Sequence, residues 1–219
     1  MSKDGKIIIV GAGLCGSMLA VRMAQRGFQV VVYEKMPDMR KGVKDAGRSI
    51  NLALSSRGLM ALQRANLKEA ILEECIPMRG RKIHPLGGES FISPYSGRPQ
   101  DYINSVSRPG LNLRLIEEAD VFDNIELKFE AKVTKVNLED ASMTYLQNGE
   151  EKTDKGDVLI GTDGAGSIVR RSMMAQTTKL LFNYSQDFLR HGYKELSILP
   201  NAEGGWKIEK EALHIWPRG

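Results

Sequence analysis

The chain has 219 residues, enough for one good hydrophobic core or about one and a half domains. Its net charge of +4 is carried by scattered basic residues (Arg22, Arg26, Lys35, Arg40, Lys41, Lys44, Arg48, Arg57) without interleaved aromatics, which argues against a nucleic-acid partner and leaves a mild positive field for anionic cofactors and carboxylate substrates. No run reaches the ~18 apolar residues of a membrane span, the start lacks a signal peptide's apolar core, and Cys15 and Cys75 make neither a disulfide framework nor a metal cluster. A cytoplasmic protein with no membrane partner and no metal is expected.

Ile7 to Val10 is an unbroken apolar run, the mark of a strand buried on both faces. Gly11-Ala12-Gly13-Leu14-Cys15-Gly16 follows, then a helix with Leu14, Met18 and Val21 on one face that Gly27 ends. Gln29 to Tyr33 reads as a second strand with Glu34 at its end, 18 residues past the last glycine. Strand, glycine turn, helix, strand and acid make a dinucleotide-binding unit. Gly11 allows the tight turn, Gly13 lets a pyrophosphate approach the backbone, and Gly16 lets the helix pack closely. The helix N-terminus offers unpaired N–H groups to phosphates. Glu34 is suited to accept two ribose hydroxyls and disfavours a 2′-phosphate, so the nucleotide at this turn is FAD or NAD rather than NADP.

A basic linker runs from Lys35 to Gly47. Arg48, a solvated basic side chain or a neighbour of the pyrophosphate, begins the stretch RSINLALS, and a helix follows from about Ser56 to Ala65, with Ser55 or Ser56 as its cap. Arg79, Arg81 and Ile83 alternate as a strand, and after Gly87-Gly88 a second comes at Phe91 to Tyr95, the start of a sheet-rich layer over a pocket into which Arg81 and Tyr95 are candidates to point. A strand ends at SVSR, Ser105 to Arg108, and Pro109 suits the first position of a helix with Leu111, Leu115 and Ala119 inward. Ile125 to Phe129, Lys132 to Leu138 and Ser142 to Leu146 read as strands, with a hairpin turn at Asn148-Gly149. Asp157 to Ile160 is a buried strand running into a second glycine-rich turn, Gly161 to Ser167, where Asp163 is suited to hold either the turn itself or a cofactor hydroxyl. Extended segments follow at Tyr193 to Leu199 and Ala212 to Trp216. His84, His191 and His214 are far apart, and none is assigned a role.

Taken together, Gly11 to Gly16 with Glu34, Arg48 with SINLALS, SVSR, and Thr162-Asp163-Gly164 resemble the single-component FAD-dependent aromatic hydroxylases. The strings GRSINLALS-x-RG from Gly47, IPMR-x-R from Ile76, HGY-x-EL from His191 and HIWPR from His214 are similar to those of its kynurenine-hydroxylating branch. The resemblance implies an α/β fold: a Rossmann-like FAD-binding domain, with parallel sheet and β-meander, plus part of an antiparallel-sheet substrate domain. The domains expected are 1–75 with 101–178 for FAD and 76–100 with 179–219 for substrate. The chemistry implied is NADPH reduction of FAD and reaction with O₂ to a flavin C4a-hydroperoxide that hydroxylates L-kynurenine, with no acid–base triad and no catalytic side chain named.

Carried over by resemblance, Leu14, Tyr33, Glu34, Lys35, Met36, Ala53, Arg108 and Val133 line the FAD site. Arg81 and Tyr95 hold the substrate carboxylate, as a guanidinium fork and a phenolic O–H are fitted to do. Asp163 and Gly164 lie near the flavin and serve NADPH as well. Family members are about twice as long and carry a later Gly-Asp motif that has no counterpart after residue 164, so an N-terminal fragment is expected. Two alternatives stand beside the enzyme reading: a non-catalytic dinucleotide-binding fragment, and a related FAD hydroxylase for another aromatic acid.

Overall fold

In chain order the computed structural model has β1 (Lys6–Val10), α1 (Leu14–Ala24), β2 (Gln29–Tyr33), a 3-10 turn (Met39–Lys41), β3 (Leu52–Leu54), α2 (Ser56–Arg64), α3 (Lys68–Glu73), β4 (Ile76–Met78), β5 (Gly80–Ile83), β6 (Phe91–Pro94) and β7 (Ile103–Val106). It continues with α4 (Arg108–Asp120), β8 (Ile125–Lys128), β9 (Lys132–Asn137), β10 (Ser142–Gln147), β11 (Glu150–Lys155), β12 (Val158–Gly161), α5 (Ile168–Met174), α6 (Thr177–Leu180) and β13 (Ala212–Ile215). Residues 5–42, 51–192 and 194–217 are described. Arg48, expected beside the pyrophosphate, lies outside them. Two compact units divide the chain: Met1–Gly47 with Leu111–His191, and Arg48–Gly110 with Gly192–Gly219.

The first unit is built on a four-stranded sheet, β12-β1-β2-β8, parallel throughout. Apolar residues at every position after the first of β1 and β2 let the strands bury both faces. Ile8, Val10, Val31 and Tyr33 face one core with Val133, Val136, Met143 and Tyr145 of the meander and Val169 of α5. Ile7, Ile9, Val30 and Val32 face the other with Ala20 of α1. Each fully buried Ile or Val contributes roughly 1.5–3 kcal/mol, so these two strands anchor the unit. The Phe28 N–H donates to the Met23 carbonyl and the Gly27 N–H to Ala24, a left-handed cap around Gly27 at φ +88°. The meander β9-β10-β11 turns at Asn148 and Gly149, with φ +55° and +80°, the two positive angles a type I′ hairpin needs. Leu111, Leu115, Ile116 and Ala119 are the buried face of α4. That helix starts at Arg108, one residue earlier than expected, so Pro109 takes its second position, and the Ser107 hydroxyl caps it by accepting the Gly110 N–H at 3.2 Å.

The second unit holds two three-stranded sheets, β3-β7-β4 and β13-β5-β6. Leu62, Ala65, Leu67 and Ile71 bury the α2–α3 pair. Of the extended segment expected at Tyr193 to Leu199, the described residues 194–199 make no strand, and Leu196, Ile198 and Leu199 are exposed. A strand exists through its ladder of backbone hydrogen bonds, and no described segment runs alongside this one to provide it. Among the described residues no helix is long and apolar enough to cross a membrane, and no group of three or more His, Cys, Asp or Glu is placed to hold a metal ion.

Candidate functional site

The β1–α1 turn and the β12–α5 turn meet back to back. Gly11 sits at φ +100°, and a Cβ there would fall 2.8 Å from the Thr162 carbonyl oxygen. A Cβ on Gly16 would fall 1.9 Å from the Gly11 carbonyl oxygen and 2.6 Å from the Thr162 hydroxyl. That hydroxyl lies 2.9 Å from the carbonyls of both Val10 and Gly11. Gly13 is different. It has an ordinary φ of −72°, and its Cβ position has nothing within 4 Å. Gly11 and Gly16 are therefore glycine for the fold, and Gly13 faces open space at the N-terminus of α1, where a phosphate would approach. Leu14 beside it is half-buried and Cys15 exposed.

Glu34 closes this corner. One carboxylate oxygen accepts the Ala12 N–H and the other the Met36 N–H, each at 2.8 Å. A carboxylate offers about four lone-pair directions, so it can hold the loop and still accept ribose hydroxyls. Lys35 and Met36 are exposed next to it. Tyr33 turns the other way. Its ring packs edge-on to Tyr145 at 4.7 Å, and its hydroxyl donates to Asp154, which also pairs with Lys6 at 2.5 Å. Burial first, and then the Asp154 hydrogen bond and charge, push the phenol far above its ordinary pKa, so it stays a donor. Only the Tyr33 carbonyl touches the loop, accepting the Gly11 N–H at 2.8 Å. Val133 lies in the same core as the Tyr33 ring.

In the second turn one Asp163 oxygen accepts the Ile168 N–H at 2.6 Å and so caps α5, while Ser167 accepts the Arg170 N–H at 3.0 Å. The other Asp163 oxygen is buried with no partner. Gly164 follows at φ +75°. Buried acceptors are nearly always satisfied, and a cofactor hydroxyl is one donor that would satisfy this one. With the open Gly13 cradle, that fits an adenine dinucleotide such as FAD.

Three features escaped the sequence reading. Asn112 of α4 donates to the Ala12 carbonyl at 3.1 Å across 100 residues of chain. Buried Asp38 is forked by Arg40, which also reaches Asp120 at 2.6 Å and lies over the Phe129 ring; the D-x-R spacing at the 3-10 turn was the available signal. In the second unit His84 and His214 meet at 2.9 Å, both stacked with Trp216. The parallel pairing of β13 with β5 brings them together.

The remaining candidates lie in the second unit. Ala53 is exposed on β3, and Arg108 is exposed at the first residue of α4. Arg81 of β5 and Tyr95, just past β6, are neighbours: the guanidinium lies 4.6 Å from the ring centroid. The Tyr95 hydroxyl is buried without a partner, and burial raises its pKa against the opposing pull of Arg81.

Comparison with known proteins agrees with this corner. The chain is 42% identical over its whole length to kynurenine 3-monooxygenase of Myxococcus xanthus, covering 47% of that protein. It is 43% identical over its whole length to the enzyme of Flavobacterium psychrophilum, covering 48%, and 39% identical over 97% of its length to that of Anopheles gambiae, covering 44%. It thus spans about half the length of the curated relatives it matches. Among solved structures, p-nitrophenol 4-monooxygenase PnpA of Pseudomonas putida has a TM-score of 0.64 at 22% identity, over 76% of this chain and 42% of that one. The tetrameric form of 2-methyl-3-hydroxypyridine-5-carboxylic acid oxygenase has a TM-score of 0.65 at 21% identity, over 78% and 43%. These share the fold. A family described as "FAD binding domain" matches residues 4–184, and with the glycine turn, Glu34 and the aspartate turn all in place, the chain belongs to that family.

Proposed function

We propose that this chain is the FAD-binding, N-terminal portion of a monooxygenase that hydroxylates L-kynurenine to 3-hydroxykynurenine with NADPH and O₂. The observation that carries the reading is the Arg81–Tyr95 pair: a guanidinium beside a buried hydroxyl that lacks a partner, in a chain similar along its length to kynurenine 3-monooxygenases. A charged fork and a phenolic donor are what an amino-acid carboxylate needs. Bound FAD, once reduced, supplies the oxygen chemistry that no side chain can.

The chain's own part is to bind and orient. The Gly13 backbone and the start of α1 receive the pyrophosphate, Glu34 the adenosine ribose, and Asp163 with Gly164 a hydroxyl of the cofactor and the approach of NADPH. Leu14, Lys35, Met36, Ala53, Arg108 and Val133 are assigned to FAD by resemblance, Arg48 to the pyrophosphate side of the glycine loop, and Tyr33 through its backbone. Arg81 and Tyr95 fix the carboxylate so that the aromatic ring is presented in one orientation, and no side chain is required as acid or base. The functional domains proposed are 1–75 with 101–178, and 76–100 with 179–219.

The test is NADPH oxidation by the full-length protein with and without L-kynurenine, with mass spectrometry for a product one oxygen heavier. Turnover stimulated by another aromatic acid instead, with no kynurenine product, would refute the substrate. A second reading applies to the 219 residues alone: they bind the ADP end of FAD and do not turn over. Exposed Phe91, Ile92, Leu213 and Trp216 on and beside the second unit's strands favour it. Bound flavin without turnover by this chain supports that reading.

A further inference from the structure

We infer that Asn112 is a positioning residue for the nucleotide: it locks the Ala12–Gly13 peptide so that the Gly13 N–H is presented to the pyrophosphate. The inference rests on the nucleotide-binding reading of the β1–α1 turn. The Ala12 carbonyl receives two side-chain donors, the Asn112 amide at 3.1 Å and the buried Ser17 hydroxyl at 3.0 Å. The Ala12 N–H, on the preceding peptide, is taken by Glu34 at 2.8 Å. The described residues contain no cis peptide bond. In a trans peptide the C=O and the next N–H point in opposite directions. Holding the Ala12 carbonyl inward on Ser17 and Asn112 therefore turns the Gly13 N–H outward, on the side where the Gly13 Cβ position is empty for at least 4 Å.

The alternative orientation is a real hazard at this position. Gly13 has no side chain to resist a flip of the peptide, and Gly11 two residues before it already adopts φ +100°. A flipped peptide would aim a carbonyl, and not an N–H, at an anion. The Asn112 amide cannot be turned end for end, since its oxygen would then face the Ala12 oxygen. In the orientation it keeps, that oxygen is buried with no partner. A side chain serving packing alone would be better off apolar. The amide is retained for the one bond it makes to the loop. The second amide proton points at the Met39 sulfur, 3.4 Å away, which holds the donor end in place from the far side.

The 219-residue chain, with Asn112→Ala, Ser17→Ala and both together, is titrated with ADP and with adenosine by calorimetry, and each variant is melted. Each single variant is expected to weaken ADP about tenfold, the worth of roughly one hydrogen bond, and the double variant more than the product of the two. Adenosine affinity stays unchanged in all, because only ADP carries the pyrophosphate. In the ¹⁵N-labelled wild type the Gly13 amide resonance moves on adding ADP, and in the double variant it does not. Equal weakening of ADP and adenosine, or ADP binding unchanged in the double variant, overturns the assignment while leaving the nucleotide site standing. A wild-type chain that binds neither ligand overturns both. If Asn112→Ala melts far below wild type, the Ser17→Ala titration decides.

Discussion

The parallel sheet of the first unit leaves Ile8 and Ile9 wholly inaccessible, whereas the second unit leaves Phe91, Ile92, Leu213 and Trp216 exposed on or beside its strands. The contrast extends to the candidate sites. In the first unit the glycine corner is held on every side by residues of the same unit: Thr162, Glu34, Ser17 and Asn112. In the second, Arg81 and Tyr95 have each other and a hydroxyl that nothing satisfies. A site whose supports are all inside one packed body is pre-organised. The first unit is therefore expected to bind nucleotide in the 219-residue chain, and the second to show its chemistry only in the longer protein.

The strongest way to break that contrast is at Gly16. Its Cβ position lies 1.9 Å from a backbone oxygen, so Gly16→Ala forces the helix off the turn and is expected to cost about 3 kcal/mol or more in urea unfolding. Gly13→Ala is the matched control. The φ of −72° suits any residue and the space is open, so stability should hold while ADP affinity falls about tenfold or more as the methyl enters the phosphate's approach. If both variants lost stability alike, the division of the glycines between fold and ligand would be wrong.

The strand–turn–helix frame of the glycine corner was legible in the sequence because its determinants are local. Strand, turn, helix and Gly27 cap lie within one stretch, and Asn148-Gly149 names its own turn type. Asn112, Asp154 beneath Tyr33, and the His84–His214 pair were not legible. Each acts across about a hundred residues or more, and a sequence pattern reports which face a residue takes, not which distant group it meets there. Tyr33 shows the limit from the other side. Placed by resemblance on the cofactor site, it follows its strand's alternation and puts its ring in the core with Tyr145.

A middle-sized effect is expected at Arg40, which links Asp38 at the 3-10 turn to Asp120 at the end of α4 in the first unit. Its side-chain hydrogen bond to buried Asp38 keeps that carboxyl below the ordinary carboxylate range. Arg40→Met should cost about 2 kcal/mol at pH 7, the worth of a charge-assisted hydrogen bond. A depressed folded pKa gives stability that is present above the unfolded value of about 3.9 and is lost as pH falls through the folded one. The gap between wild type and variant should thus persist at pH 5 and close below about pH 4. A gap independent of pH would mean that Arg40 acts by packing over Phe129. Smaller again is Asp163→Ala, which removes the α5 cap and should cost about 1 kcal/mol. Asp163→Asn keeps an acceptor for that cap and should recover most of the loss.

The smallest stability effect is the one that sharpens the contrast most. Tyr95→Phe deletes a buried hydroxyl that has no partner. Removing an unsatisfied polar group is neutral or stabilising, so the variant should melt at or slightly above wild type. Its ADP affinity should not change, since the residue belongs to the second unit. On the proposed reading, the same substitution in the full-length protein should raise the kynurenine KM about tenfold, because the hydroxyl would there donate to the substrate carboxylate. A group that costs stability when alone and gains affinity when liganded is kept for binding. A Tyr95→Phe variant that destabilised the chain would show instead that the hydroxyl has a structural partner, and the carboxylate assignment would then rest on Arg81 alone.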